Sequence, residues 1–235
     1  MSTHRILGIS GSLRVQSFNS GLLRALPGLA PDGMTIEVFD GVGDLPLYDQ
    51  DLDTASAPEP VARLRAAIAD ANGLIFASPE YNHSMSGVMK NTIDWASRPF
   101  GRAPILGQCA CVFVATGGKI SGARAHADTT RVLRDLSVYV VGTPEVIVTE
   151  AASRIVFGED GSVTVNDPMS IKLIQIQLTA LAAAIDGGAG ATAAQPLRDL
   201  LASMAPPPSP RGDPKQLRSS EVPKTERAGA RRRPD

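Results

Sequence analysis

Three polar breaks in an otherwise alternating chain carry the residues whose types and spacing could do chemistry. The first, Gly11-Ser12-Leu13-Arg14-Val15-Gln16-Ser17-Phe18-Asn19, follows the apolar run Ile6-Leu7-Gly8-Ile9. Gly11 permits a turn that a Cβ would obstruct, Ser12 and Ser17 offer hydroxyls, and the Arg14 guanidinium is a fork of donors matched to phosphate oxygens. A helix that starts near Ser17 would aim its free N–H groups and the positive end of its dipole into the same loop. An anion site, with phosphate as its obvious occupant, stands against plain turn chemistry in which Ser17 only caps the helix. Two familiar phosphate loops do not match. Gly8-x-x-Gly11 lacks the close glycine pair of a dinucleotide fingerprint, although Asp40 stands where a ribose-binding acid would follow a second strand, and there is no Gly-Lys-Ser/Thr.

The second break is Ser78-Pro79-Glu80-Tyr81-Asn82-His83-Ser84 and the third is Thr116-Gly117-Gly118-Lys119-Ile120-Ser121-Gly122. Pro79, Glu80, Tyr81 and Asn82 combine a rigid turn former with an aromatic ring and hydrogen-bonding groups. Thr116, Gly117 and Gly118 offer backbone N–H groups that a flat ring can approach closely. Together they suit a planar heterocycle; the competing reading makes Tyr81 a surface aromatic and the glycines a strand cap. His83 and Ser84 do not make a hydrolase, because no G-x-S-x-G is present.

The elements between these breaks must position them. Leu22, Leu23 and Leu26 share one face of a helix from Phe18 to Leu26 that Pro27-Gly28 ends. Ile36–Phe39 reads as a second strand and Gly73–Ala77 as a third, with a helix over Val61–Ala71 between them. The apolar loop Asp44–Asp49 should pack over something. Met85, Val88, Met89, Thr92 and Ala96 mark one side of the helix after the second break; Cys109–Ala115 is the fourth strand and Arg124–Leu136 the next helix. Tyr139–Val141 and Val146–Val148 form a fifth strand, continuous or interrupted at Gly142–Pro144. Arg154–Val165 turns at Glu159-Asp160-Gly161 as a small hairpin, and Ile171, Ile174, Leu178, Leu181 and Ile185 give a last helix. Strands alternating with helices imply a parallel sheet covered on both faces, whose ligands bind outside the carboxyl ends of the strands. All three breaks stand at such ends, so one ligand touching all three is the simplest explanation.

The 235 residues suffice for a sizeable core, and no run of about 18 apolar residues predicts a membrane span. Met1–Arg5 enters a strand with no secretory h-region, so the expected setting is the cytoplasm. Cys109 and Cys111 lie two apart on one face of a strand, without redox or metal-ligand spacing. The net charge of −1 divides between an acidic body, 1–204, and a segment 205–235 with eight Lys/Arg against four Asp/Glu and seven prolines after Ala205. That composition predicts a disordered tail, solvated rather than bound to nucleic acid despite Arg231-Arg232-Arg233.

Three motifs, Gly11-Ser12-Leu13-Arg14-x-x-Ser17-x-Asn19, Pro79-Glu80-Tyr81-Asn82-x-Ser84-x-x-Gly87-x-x-Lys90-Asn91-x-Ile93-Asp94-Trp95 and Gly117-Gly118-x-x-Ser121-Gly122-Ala123-Arg124, give the chain a family likeness. Over residues 5 to 186 it resembles the NADPH-dependent FMN reductases, in particular the chromate and quinone reductase branch. The resemblance implies a flavodoxin-like α/β fold, a doubly wound five-stranded parallel sheet of order 2-1-3-4-5 with helices on both faces. It implies FMN phosphate at Ser12, Leu13, Arg14, Ser17, Phe18 and Asn19, and the isoalloxazine between Pro79, Glu80, Tyr81, Asn82 and Thr116, Gly117, Gly118. NADPH, or NADH, would give hydride to the flavin and a quinone, chromate, azo or flavin acceptor would then take the electrons, with no catalytic side chain and no metal required. Lys119 is either a contact for the NADPH phosphate or a solvated loop lysine. The helix of Trp95 would join a homodimer or homotetramer, or Trp95 is plain core. The rival class is a flavodoxin-type electron carrier that does not use NADPH.

Overall fold

The computed structural model describes residues 3–204; the expected boundary at 204 and the tail 205–235 lie outside the described residues. In chain order the elements are β1 (His4–Ser10), α1 (Phe18–Ala25), β2 (Met34–Val38), α2 (Glu59–Asp70), β3 (Gly73–Ala77), β4 (Glu80–Tyr81), β5 (Ser84–Met85), α3 (Gly87–Ala96), β6 (Cys109–Ala115) and α4 (Ala123–Asp135). There follow β7 (Tyr139–Val140), β8 (Val146–Val148), α5 (Ala151–Arg154), β9 (Ile155–Phe157), β10 (Val163–Val165), α6 (Pro168–Asp186) and α7 (Ala189–Met204).

The central strands β1, β3 and β6 pair in parallel, and every residue in them except Arg5 is buried. Covering both faces explains why they read as continuous apolar runs rather than as alternations. Successive residues of β6 serve two cores. Cys109, Cys111, Phe113 and Ala115 pack with Leu22 and Leu23 of α1 and with Ile174, Leu178 and Leu181 of α6. Ala110 and Val112 pack with Val61, Leu64 and Ile68 of α2, Met89, Ile93 and Trp95 of α3, and Leu133 of α4. Trp95 is fully buried, with its indole N–H donating to the Pro46 carbonyl at 2.8 Å, so the 44–49 loop does pack over α3. Cys111 Sγ donates to Gln177 Oε1 at 3.1 Å, and burial raises the thiol pKa of both cysteines.

The sheet runs β2-β1-β3-β6-β7, the expected order, with one difference: its fifth position is divided, and β8 also pairs with β6. Cys109 faces Tyr139 but Phe113 faces Val146, so four steps along β6 match seven along its partner. Gly142-Thr143-Pro144-Glu145 takes up the excess, where Pro144 has no N–H to give to a ladder. The β9–β10 hairpin turns as expected, with Gly161 at φ +82°.

The helix α7 was not expected, because Pro196 interrupts its pattern. It closes on the loop before β6, where a Cβ on Gly190 would overlap the Gly107 carbonyl oxygen. Among the described residues α6, with 19 residues and a mean hydropathy of 1.4 over its most apolar 18-residue window, has the length and composition of a membrane span, although Lys172, Gln175 and Gln177 interrupt its apolar residues. Its Ile174, Gln177, Leu178 and Leu181 are buried against the sheet, and Asp167 caps it by accepting from the Ser170 N–H at 2.8 Å.

Candidate functional site

The loops that leave β1, β3 and β6 meet at the carboxyl edge of the sheet, and hydrogen bonds between them fix their spacing. Gly11 continues the ladder by donating to the Ala77 carbonyl at 2.8 Å. Its own carbonyl accepts from Ser86 Oγ at 2.6 Å, while Ser86 also caps α3 by accepting from the Met89 N–H at 3.1 Å. A Cβ on Gly11 would stand 2.9 Å from Ser86 Oγ, 3.0 Å from Met89 Cβ and 3.1 Å from Ser78 Oγ. The glycine is required by this close approach of the first loop to the second.

The first loop keeps most of its donors for something other than protein. Ser17 caps α1 by accepting from the Ser20 N–H at 3.3 Å, and Ser12 Oγ accepts weakly from the Arg14 N–H at 3.4 Å. Among the described residues the N–H groups of Leu13, Val15, Gln16, Phe18 and Asn19 have no protein acceptor. Arg14 is exposed and reaches only the Gln16 carbonyl, at 3.4 Å. Free amides, the helix dipole and a guanidinium thus converge without any carboxylate bonded to them. Two residues predicted here have side chains that bond or pack within the protein. Asn19 is buried and gives both ends of its amide to Ala115, donating to the carbonyl at 2.8 Å and accepting from the N–H at 2.9 Å. Its side chain ties the first loop to the end of β6, and the donor it leaves free is its backbone N–H. Phe18 is half-buried and packs against Phe157 of the β9–β10 hairpin, with ring centroids 6.3 Å apart. Asp40, placed beyond β2, is held by Arg63 at 2.9 Å.

The second loop contains a feature the sequence analysis missed, the hairpin β4–β5. Asn82 and His83 form its two-residue turn with φ +50° and +65°, the sign pattern of a type I′ turn. Asn between two short polar segments was the available signal. Pro79 is buried at the hairpin's base, and Tyr81 is half exposed. Ser84 Oγ donates to Asp128 Oδ2 of α4 at 2.6 Å. Ser78, Ser86 and Asp128 had no place in the sequence-derived site, because each acts through a partner distant in the chain or by local capping.

The third loop rests on its neighbours. Thr116 and Ser121 share a hydroxyl contact of 2.6 Å, Gly118 donates to Thr116 Oγ1 at 3.3 Å, and Ala151 donates to the Thr116 carbonyl at 2.9 Å. Gly117 is exposed, and a Cβ there would meet nothing within 4 Å, so its backbone is open to a flat ligand. Lys119 is exposed and lies 3.6 Å from the Glu150 carboxylate. Glu80, expected to hold a ring, instead points its buried carboxylate at the start of α4. Oε2 accepts from the N–H groups of Gly122 at 2.7 Å, Arg124 at 3.1 Å and Ala125 at 3.4 Å, and Oε1 lies 3.6 Å from Arg124 Nη1. Burial alone would raise the Glu80 pKa, but these three backbone bonds and the Arg124 charge outweigh it and hold the carboxyl below its ordinary range.

The edge therefore presents an anion cradle on one side and, across the sheet centre, a hairpin with a half-exposed Tyr81 and a glycine loop with an open backbone at Gly117. A phosphorylated heterocycle fits this donor set. Residues 4–153 match the family model described as NADPH-dependent FMN reductase. An NAD(P)H-dependent FMN reductase of Pseudomonas aeruginosa is 42% identical over 177 residues, which cover 75% of this chain and 92% of that one. A 2-hydroxy-1,4-benzoquinone reductase of a Burkholderia species is 40% identical over 151 residues, 64% of this chain and 81% of the relative. Among solved structures, a flavoenzyme NAD(P)H:(acceptor) oxidoreductase from Paracoccus denitrificans superposes with a TM-score of 0.68 at 32% identity, covering 79% of this chain and 99% of that one.

Proposed function

Since the chain belongs to the NADPH-dependent FMN reductase family, we propose that it holds FMN across the three loops and passes electrons from NAD(P)H to a small quinone in two steps at one site. The enzyme is an NAD(P)H-dependent oxidoreductase, and FMN supplies the hydride chemistry when bound. The work of the chain's own residues is to bind, orient and leave one face open.

Arg14 and the N–H groups of Leu13, Val15, Gln16 and Phe18, with the hydroxyls of Ser12 and Ser17, hold the phosphate. Asn19 acts one step back, fixing the cradle to the end of β6. Pro79, Tyr81 and Asn82 flank the ring on one side and Thr116, Gly117 and Gly118 on the other, where N–H groups face the negative charge that reduction adds. Glu80 supports both flanks. The observation that carries this reading is the meeting, at one sheet edge, of an uncommitted anion cradle and an exposed glycine backbone.

A quinone is favoured over chromate or azo acceptors because relatives at 40%, 36% and 35% identity are named quinone reductases. The exposed apolar side chains of Leu13, Val15 and Ile120 on this edge support association of copies, as a homodimer or homotetramer. The dependence on NAD(P)H and the unpaired thiols of Cys109 and Cys111 support a cytoplasmic setting. Anaerobic addition of NADPH to the FMN-loaded protein should bleach the flavin band, and a benzoquinone should restore it faster than chromate or an azo dye. A band left untouched by both NADPH and NADH would replace the reductase with an electron carrier.

A further inference from the structure

The N-terminus of α4 has no local cap, and the reason is steric. Its N-cap residue is Gly122, at φ +109°, where a Cβ would stand 2.9 Å from both Ile147 Cγ2 and Val114 Cγ1. Neither the conformation nor the space admits Ser, Thr, Asp or Asn, the residues that normally satisfy the first-turn amides. The acceptor has to come from elsewhere in the chain. It comes from Glu80, 42 residues earlier, whose side chain is 5% exposed and takes the N–H groups of Gly122, Arg124 and Ala125 together.

This arrangement couples two loops that the sequence separates. Glu80 begins β4, and Ser84 begins β5 on the other side of the Asn82-His83 turn. Glu80 grips the start of α4, and Ser84 grips Asp128 one turn further along it. Both strands of the hairpin are therefore fastened to the helix that carries the third loop, Glu80 at the base and Ser84 beside the turn, while Tyr81, Asn82 and His83 stay exposed. Two attachments on one helix prevent the hairpin from pivoting about either one.

We propose that Glu80 is a positioning residue that joins the β4–β5 hairpin and the third loop into one preformed jaw of the flavin-ring site, with its charge occupying the α4 N-terminus so that, of these two helices, α1 is the one left to take an anion. The proposal rests on the FMN reading for the ring, but the coupling itself is a property of the protein without ligand. The jaw is set before any ligand arrives.

Amide hydrogen exchange on the apoprotein tests the coupling directly. The N–H groups of Gly122, Arg124 and Ala125 should be protected without FMN, and Glu80→Gln should speed their exchange by tenfold or more. FMN should bind that variant about tenfold more weakly, since a charge-assisted contact is lost. Its bound flavin should show a raised midpoint potential, because a negative charge beside the ring is gone, whereas Ser84→Ala, which loosens the hairpin and keeps the charge, should leave the potential in place. Unchanged exchange or an unmoved potential in Glu80→Gln would overturn the proposal. Should Glu80→Gln not fold, the wild-type protein decides: protection already present without FMN supports a preformed jaw, and protection that appears only on adding FMN refutes it. A wild-type protein that fails to bind FMN refutes the reading of the site and leaves the exchange result standing.

Discussion

The starts of α1 and α4 are built alike and used oppositely. Each follows a buried strand and a loop containing glycine, and each lies at the carboxyl edge of the sheet. At α1 the cap is the neutral Ser17, one hydroxyl for one N–H, and the neighbouring amides and Arg14 stay available. At α4 the cap is the Glu80 carboxylate, which takes three N–H groups and sits beside Arg124. A helix N-terminus attracts an anion in both places; whether the anion is a ligand or the protein's own side chain decides which one is a binding site.

Giving α1 the device that α4 uses should have the largest effect. Ser17→Asp should still cap the helix, but its carboxylate about 4 Å from a bound phosphate costs about 4 kcal/mol at an effective dielectric near 20. FMN affinity should fall by about a thousandfold with little change in Tm, as read by flavin fluorescence titration and thermal melting. Equal affinity in that variant would place the phosphate somewhere other than α1. Removing the guanidinium is milder: Arg14→Ala loses a charge-assisted bond of about 1.5–3 kcal/mol, a ten- to hundredfold loss of FMN affinity.

Acid sharpens the contrast from the α4 side. The Glu80 carboxyl is held below its ordinary range, so its contribution to stability is fully present above the unfolded-state pKa of about 4.3 and is lost as pH falls through the lower folded value. The Tm gap between wild type and Glu80→Gln should be widest near neutral pH and should close as the pH falls through the lowered folded value. A constant gap would mean that geometry, not charge, is what Glu80 supplies. The start of α6 serves as the control, because Asp167 caps it locally, bonding the N–H and hydroxyl of Ser170, far from the three loops in sequence. Asp167→Ala should cost about 1 kcal/mol of stability and leave FMN affinity unchanged.

The loops were legible in the sequence because their signals are local: glycine, serine and arginine following an apolar run, and a fixed order of strand and helix. The edge they share followed from the parallel sheet alone. What was not legible is where two side chains go. Asn19 and Glu80 lie inside ligand-like motifs, and only the fold shows that their partners are Ala115 and the Gly122–Ala125 turn. Polar residue type carries the capacity to bond but not the address of the partner. The divided fifth strand was half legible, since Gly142 and Pro144 announce an interruption, while the seven-against-four register needs the pairing itself. Helix α7 was hidden by Pro196, whose local cost is outweighed by packing that a propensity argument does not include.

The placement of the two cysteines has a consequence for self-inactivation. Quinones are electrophiles that arylate sulfur, and they react with the thiolate rather than the thiol. Cys109 and Cys111, the only cysteines in the chain, are 4% and 0% exposed inside β6, and burial moves both thiol pKa values upward. The sulfur of Cys111 is further engaged as a donor to Gln177. If the proposed quinone acceptor is right, the catalyst keeps both cysteine sulfurs buried and protonated, away from that electrophile.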